Sequence, residues 1–214
     1  MPDGRRLVFN SNGKGVRDIH WKSVGRGTPD VLLESGTNKY PQDVAPDGQS
    51  LIYTNDAEGY DLWLLLLSNR RSTPFIAAER NQTFAQFSQN GSWLAYDSHE
   101  AGTPEVYVTQ FPSGRGKWQV SRQGGIMPRW RRDGREIFYL SPDHNTLFAA
   151  EVIASGEDFE VTKVQSLFTT QAVAGVGYPY DVSADGNRFL FVTGVEETSS
   201  PLTLVVNWTA HLAR

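Results

Sequence analysis

The sequence predicts an all-β protein, a β-propeller of about five four-stranded blades that is incomplete at both termini. Three observations lead there. A turn dipeptide recurs as Asp3-Gly4, Asp47-Gly48, Asn90-Gly91, Asp133-Gly134 and Asp185-Gly186, at steps of 44, 43, 43 and 52 residues. Each turn opens onto an apolar triplet: Leu7-Val8-Phe9, Leu51-Ile52-Tyr53, Leu94-Ala95-Tyr96, Ile137-Phe138-Tyr139 and Phe189-Leu190-Phe191. Each triplet is followed, across a polar loop, by a second β-rich run. Four short strands in every repeat of about 40 to 45 residues is the spacing of a propeller blade.

The elements run in order. Asp-Gly and Asn-Gly suit tight hairpin turns because both central residues tolerate positive φ. From the second turn onward a short strand precedes the turn, with an apolar residue three before its Asp or Asn: Val44, Phe87, Trp130 and Val182. The triplets are the second strands. Third strands fall at Ile19-His20-Trp21, Leu62-Trp63-Leu64, Val106-Tyr107-Val108, Leu147-Phe148-Ala149 and Leu202 to Val206. Weaker fourth strands lie near Val31-Leu32, Phe75-Ile76, Trp118 to Val120 and Leu167-Phe168. Residues 1–214 thus read as a single propeller domain or propeller fragment, with repeats at about 1–39, 40–82, 83–125, 126–177 and 178–214. A β-sandwich is the rival, but its turns do not recur with such regular period and residue type.

The ends of the chain carry their own expectation. Met1-Pro2-Asp3-Gly4 starts on a turn, so the innermost strand of the first blade is missing, and Leu202 to Val206 reads as the third strand of the last. Unpaired strand edges invite pairing with another chain. The expectation is homo-oligomer formation through open blade edges. A fragment of a longer reading frame is favoured over a partial propeller that closes by oligomerising.

Composition narrows the function classes. The 214 residues are 39% hydrophobic and 12% aromatic, which argues against disorder. The net charge of -4 and the scattered basic residues argue against a nucleic-acid partner. With no cysteine there is no disulfide, thiolate nucleophile or thiolate metal site, and the compartment stays open. The six apolar residues Leu62 to Leu67 fall far short of the roughly 20 that span a bilayer, so no membrane span is expected within this chain. They read as buried strand.

PDGRRLVF, APDGQSLIYTNDAEGYDLW and SADGNRFLF resemble the PDG-centred, WD40-like repeat of TolB-type propellers, found also in the propellers of prolyl-oligopeptidase relatives. The likeness covers nearly the whole chain. It departs at Gln89-Asn90-Gly91 and Arg132-Asp133-Gly134, where the Pro before the turn is absent. The ending Pro201 to Ala210 is similar to the closing segment of propellers attached to bacterial serine/threonine protein kinases or winged-helix regulators. That resemblance implies a sensory or interaction domain, extracytoplasmic if it belongs to a membrane-anchored kinase and cytoplasmic if expressed alone without a signal peptide.

Motifs for catalysis are missing. There is no G-x-S-x-G elbow, H-E-x-x-H, EF-hand loop, P-loop or kinase signature, so no catalytic residue, metal ligand or cofactor is assigned. His20 falls in a strand and reads as packing, whereas His99 and His144 fall in loops and read as solvated. Asp18, Asp61 and Glu105 stand just before third strands, with Asn145 in a similar place. Each carboxylate is expected to accept backbone N–H groups of its own loop.

Candidate binding residues come from two places. Asp43, Gln86, Arg129 and Asp181 stand four before their turns, opposite in alternation to Val44, Phe87, Trp130 and Val182, and are expected to face the central channel. Tyr60 and His99, on loops between second and third strands, are candidate contacts on a rigid frame. The reading is a non-catalytic scaffold for a protein or peptide partner. The alternatives are a glycosidase- or lyase-type propeller enzyme with channel-mouth carboxylates, or a TolB-like periplasmic partner-binder.

Overall fold

The computed structural model describes residues 1–13, 15–25, 27–57, 59–76, 80–173, 175, 177–194 and the backbone of 202–206. The rest of the Pro201 to Ala210 segment lies outside the described residues. Five antiparallel sheets succeed one another along the chain. The first holds β1 (Arg6–Ser11), β2 (Asp18–Ser23) and β3 (Asp30–Leu33). The second holds β4 (Lys39–Val44), β5 (Ser50–Asn55), β6 (Asp61–Leu66) and β7 (Ser72–Ile76). The third holds β8 (Gln82–Phe87), β9 (Trp93–Ser98), β10 (Glu105–Gln110) and β11 (Trp118–Gln119). The fourth is β12 (Ile126–Trp130), β13 (Glu136–Leu140), β14 (Thr146–Ser155) and β15 (Asp158–Thr169). The fifth is β16 (Tyr180–Val182), β17 (Arg188–Val192) and β18 (Leu202–Val206).

Within each sheet neighbours in sequence are neighbours in space, and successive sheets pack face to face. This is an all-β propeller. Among the described residues no helix is long and apolar enough to cross a membrane. The Leu-rich run is β6, where Leu62 and Leu65 are both fully buried on opposite faces. A sheet packed on both sides needs no alternation of apolar and polar residues.

The recurrent turns differ from the expected two-residue form. Gly4, Gly48, Gly91, Gly134 and Gly186 take φ of 65° to 73°, but the preceding Asp or Asn does not share the positive φ. Pro46 and Asp47 are instead the central pair, closed by Gly48 N–H donating to the Ala45 carbonyl at 2.8 Å. Asp47 Oδ1 then accepts Gln49 N–H at 2.9 Å, as Asn90, Asp133 and Asp185 do for Ser92, Arg135 and Asn187. The carboxylate or amide caps the turn and glycine alone supplies the left-handed residue.

Two long-range devices tie sheets together. β14 and β15, of 10 and 12 residues, far outrun the other strands, so the expected fourth strand at Leu167-Phe168 is only the end of a long one. Near the tip of that hairpin, Phe159 lies 5.4 Å from Trp93 and 6.0 Å from Trp118 of the third sheet, and 6.2 Å from Trp130. The second device is a buried ion pair. Asp18 takes Lys39 Nζ at 2.9 Å and Ser35 N–H at 3.2 Å, which corrects the expectation of a loop-local carboxylate: the cation comes from the next sheet. Glu105 also reaches beyond its own loop, though within its own repeat, accepting Gly124 N–H at 3.0 Å and the Ser121 hydroxyl across 16 residues or more.

Candidate functional site

The inner strands β4, β8 and β12 each break register midway: between Pro41 and Asp43, between Thr83 and Gln86, and between Ile126 and Arg129. Phe84 and Met127, at these breaks, take φ of 48° and 57°. A bulge inserts an unpaired residue and re-aims the side chains around it. The direction taken by the side chains beyond each bulge is therefore set by local geometry that apolar patterning does not encode.

Immediately after the bulges stand the residues expected to face the channel. Asp43 accepts Phe87 N–H at 3.0 Å through Oδ2 and Val44 N–H at 2.9 Å through Oδ1. Gln86 Oε1 accepts Trp130 N–H at 2.6 Å, and the Gln86 carbonyl accepts the Trp130 indole N–H at 3.2 Å. Both reach 44 residues ahead, from one inner strand to the next. Arginine carries only donors and cannot repeat this joint. At the third step Val182 N–H is accepted by its own neighbour Asp181, and Arg129 Nε lies 3.9 Å from Asp181 Oδ1. Arg129 is thereby released to lie over the Tyr178 ring, 3.6 Å from its centre.

Burial shapes the electrostatics of this region. It pushes Asp43 up to about 6 against the opposing pull of its two backbone donors and of Arg129. Asp97, fully buried in β9, is pushed up to about 7 by burial; it accepts the Thr83 hydroxyl through one oxygen and Met127 N–H, at 2.9 Å, through the other. Motif and spacing do not single out Asp97. Its signal is an acid at a position occupied by Asn10, Thr54, Leu140 and Val192 in the other repeats. Tyr178 is raised chiefly by burial, and its hydroxyl has no hydrogen-bond partner among the described residues.

At the end of the propeller where the inner strands begin, residues from four sheets converge. Phe9 and Asn10 of β1, Tyr40 to Gln42 and Thr54 of the second sheet, Thr83 and Phe84 of β8, and Gly177 and Tyr178 before β16 surround a cavity of about 420 Å³. Tyr60 completes the lining from the β5–β6 loop, half-exposed, with its ring 6.0 Å from Tyr40. Phe84 meets Tyr178 edge-on at 5.2 Å, and Arg17 lies 5.8 Å over Tyr40. The polar groups in the wall are largely satisfied within it: Gln42 Nε2 donates to Thr54 Oγ1 at 3.0 Å, and Asn10 donates to the Lys39 carbonyl at 3.1 Å. Among the described residues no carboxylate lines the cavity. The structure thus places Tyr60 in the same wall as Phe84 and Tyr178, the ring on which Arg129 stacks.

His99 is not in that lining. Its backbone N–H donates to the Asn81 carbonyl at 3.0 Å, and burial, helped by Arg80, lowers the imidazole's pKa. His144 also departs from the solvated reading: it sits on a turn at φ 62°, with Nδ1 buried and unpartnered among the described residues. His20 packs, stacked on Phe9 at 5.7 Å.

No family model matches the chain. Among solved structures it is similar to TolB from Acinetobacter baumannii, with a TM-score of 0.76 and 19% identity over 96% of this chain and 50% of that one. It is similar to the putative TolB from Agrobacterium tumefaciens, with a TM-score of 0.63 and 18% identity over 78% of this chain and 64% of that one. A chain of the nidogen/laminin complex matches with a TM-score of 0.65 and 9% identity over 89% of this chain and 68% of that one. The shared property is a TolB-like propeller fold. This chain spans about half the length of the Acinetobacter protein and under two thirds of the Agrobacterium one.

Proposed function

We propose that this chain is a non-catalytic propeller scaffold whose aromatic mouth binds an extended segment of a protein or peptide partner. The observation that supports this is the cavity ringed by Phe9, Tyr40, Tyr60, Phe84 and Tyr178, with no carboxylate among its described lining residues. Aromatic side chains give large contact area at little entropic cost and dominate protein recognition sites. A cavity of about 420 Å³ admits one or two apolar side chains, with Gln42 and Thr83 at its wall to orient a peptide backbone. Tyr60 is the contact candidate on this reading, and Arg129 supports the wall from behind the Tyr178 ring. Asp43 and Gln86 act as joints between inner strands, and Asp181 as the counter-ion of Arg129.

The enzyme alternative needs two carboxylates converging on a substrate with separated proton affinities. Asp43 is committed to two backbone donors and Asp181 to Val182 and Arg129, which leaves neither oriented into the aromatic cavity. A place in a larger bacterial signalling protein, and an extracytoplasmic setting with it, is supported by the tail resemblance alone. One matched chain comes from a nidogen/laminin complex, an instance of this fold within a protein–protein assembly.

The test is peptide selection from a displayed random library, followed by calorimetric titration of the enriched peptides. Tyr60→Ala and Tyr40→Ala are expected to weaken them at least about tenfold, which is about 1.4 kcal/mol. Enriched peptides that bind both variants as tightly as the parent chain would move the site elsewhere and sink the proposal.

A further inference from the structure

Successive sheets in this molecule meet in the same way at every step. Val8, Ile19 and Trp21 of the first sheet pack on Leu51, Tyr53 and Leu65 of the second. Ile52 and Leu62 of the second pack on Leu94, Tyr96 and Tyr107 of the third. Ala95, Val106 and Val108 of the third pack on Ile137, Tyr139 and Ala150 of the fourth. Phe138, Leu140 and Leu147 of the fourth pack on Phe189 and Phe191 of the fifth. The strand registers place each of these sets on a single face of its sheet. One interface is therefore repeated four times, always from the forward face of one sheet to the rear face of the next.

Two faces are left over, one of each kind. Three residues past the turn glycine, Leu51, Leu94, Ile137 and Phe189 are at most 1% exposed, but Leu7 is 58% exposed. One position on, Ile52, Ala95 and Phe138 are fully buried, whereas Leu190 is 48% exposed. Thr54, Asp97 and Leu140 are likewise buried where Val192 is 49% exposed. The first sheet thus shows an unused rear face, and the fifth shows an unused forward face. Residues whose counterparts are core elsewhere in the same chain lie open to solvent here. Among the described residues neither face covers the other.

We propose that these faces join two copies of this chain head to tail, the Leu190–Val192 face of one copy seating on the Leu7 face of the next. The occupant is a second copy because each copy presents both halves of an interface that the chain already makes four times internally. Such a contact is heterologous: the two surfaces differ, so association leaves one free face of each kind and can continue. It is distinct from pairing through strand edges, which would use the backbone of β1 and would not depend on Leu190.

Heterology makes the test sharp. Leu7→Asp and Leu190→Asp both alter exposed side chains, and far-ultraviolet circular dichroism checks that each variant keeps its strands. Light scattering of the 214-residue chain is expected to show a mass that rises with concentration to at least twice that of the monomer. Each variant alone is expected to stay monomeric. An equimolar mixture of the two is expected to form a dimer that grows no further, because one intact face remains on each partner. A parent chain that stays monomeric at all concentrations would overturn the proposal, and so would a mixture that remains monomeric while the parent assembles. Continued assembly of either single variant would assign association to a strand edge and overturn it equally.

Discussion

The guanidinium carbon of Arg129 lies 3.6 Å from the centre of the Tyr178 ring, while the Tyr178 hydroxyl is buried without a hydrogen-bond partner among the described residues. The ring is held by two favourable contacts, the cation above it and Phe84 at its edge. The hydroxyl contributes nothing to either.

Tyr178→Phe is therefore expected to stabilise the chain, because an unpaired buried polar group costs about 1–3 kcal/mol. The measurement is urea unfolding, with the midpoint moving up at unchanged m-value. A lower midpoint would mean that the hydroxyl is hydrogen-bonded in solution. Should the hydroxyl serve a bound peptide, the same substitution would weaken binding while it strengthens the fold.

A second expectation concerns pH. Burial raises Asp97 to about 7 and Asp43 to about 6, both above the unfolded value near 4. Between those limits the folded chain holds protons that the unfolded chain has released, so stability falls as pH rises. The contribution is full below about pH 4 and gone above about pH 7. Asp97→Asn can keep both contacts, its carbonyl taking Met127 N–H and its amide donating to Thr83 Oγ1. The variant is expected to match the parent near pH 4 and exceed it at pH 8 by a few kcal/mol, on the order of the burial penalty. Equal stability at pH 8 would show that ionising Asp97 carries no burial penalty.

The Asp18–Lys39 pair offers a third test. Burial acts to raise Asp18, but Lys39 and Ser35 N–H outweigh it and hold the carboxyl below its usual value. Lys39 is 1% exposed, so removing its partner strands a buried ammonium. Asp18→Ala is expected to cost about 3–5 kcal/mol, and Asp18→Ala combined with Lys39→Met markedly less. Additive single costs in thermal or chemical unfolding would argue that the two charges do not depend on each other.

How much of this is legible in the chain divides along physical lines. The turns repeat Asp-Gly at nearly constant spacing because each blade needs the same left-handed residue at Gly48 or Gly134, so the blade plan is explicit. Tyr60 is legible as a contact candidate because it stands on a loop between regular strands, and it lines the cavity. The aromatic mouth as a whole is not, since Phe9, Tyr40, Phe84 and Tyr178 come from different repeats and meet only when the sheets pack together. The bulges at Phe84 and Met127 are hidden as well, because left-handed backbone at Phe or Met has no compositional mark. Alternation alone places Asp43 and Gln86; it says where a side chain starts but not that it will reach the next strand's amide.

That reach yields the last expectation. Gln86 accepts Trp130 N–H at 2.6 Å through its side chain, and its backbone carbonyl also holds the indole N–H. Gln86→Ala leaves the first donor unpaired beside a buried Trp, at a cost of about 1–3 kcal/mol. Arg129 occupies the matching place one sheet later but accepts nothing through its side chain, so Arg129→Ala breaks no such joint. It removes an ion pair with exposed Asp181 worth about 0–1 kcal/mol and the stack on Tyr178. The expected order is thus a larger loss of stability for Gln86→Ala than for Arg129→Ala. Arg129 leaves a different signature at Asp43: its charge lowers that carboxyl, which should titrate above its present value of about 6 once the cation is gone. Urea denaturation ranks the two stabilities, and carbon-detected NMR titration of Asp43 reads the shift. If Arg129→Ala proves the more damaging fold mutation, the ring is held at that step by its cation and not by relayed amides.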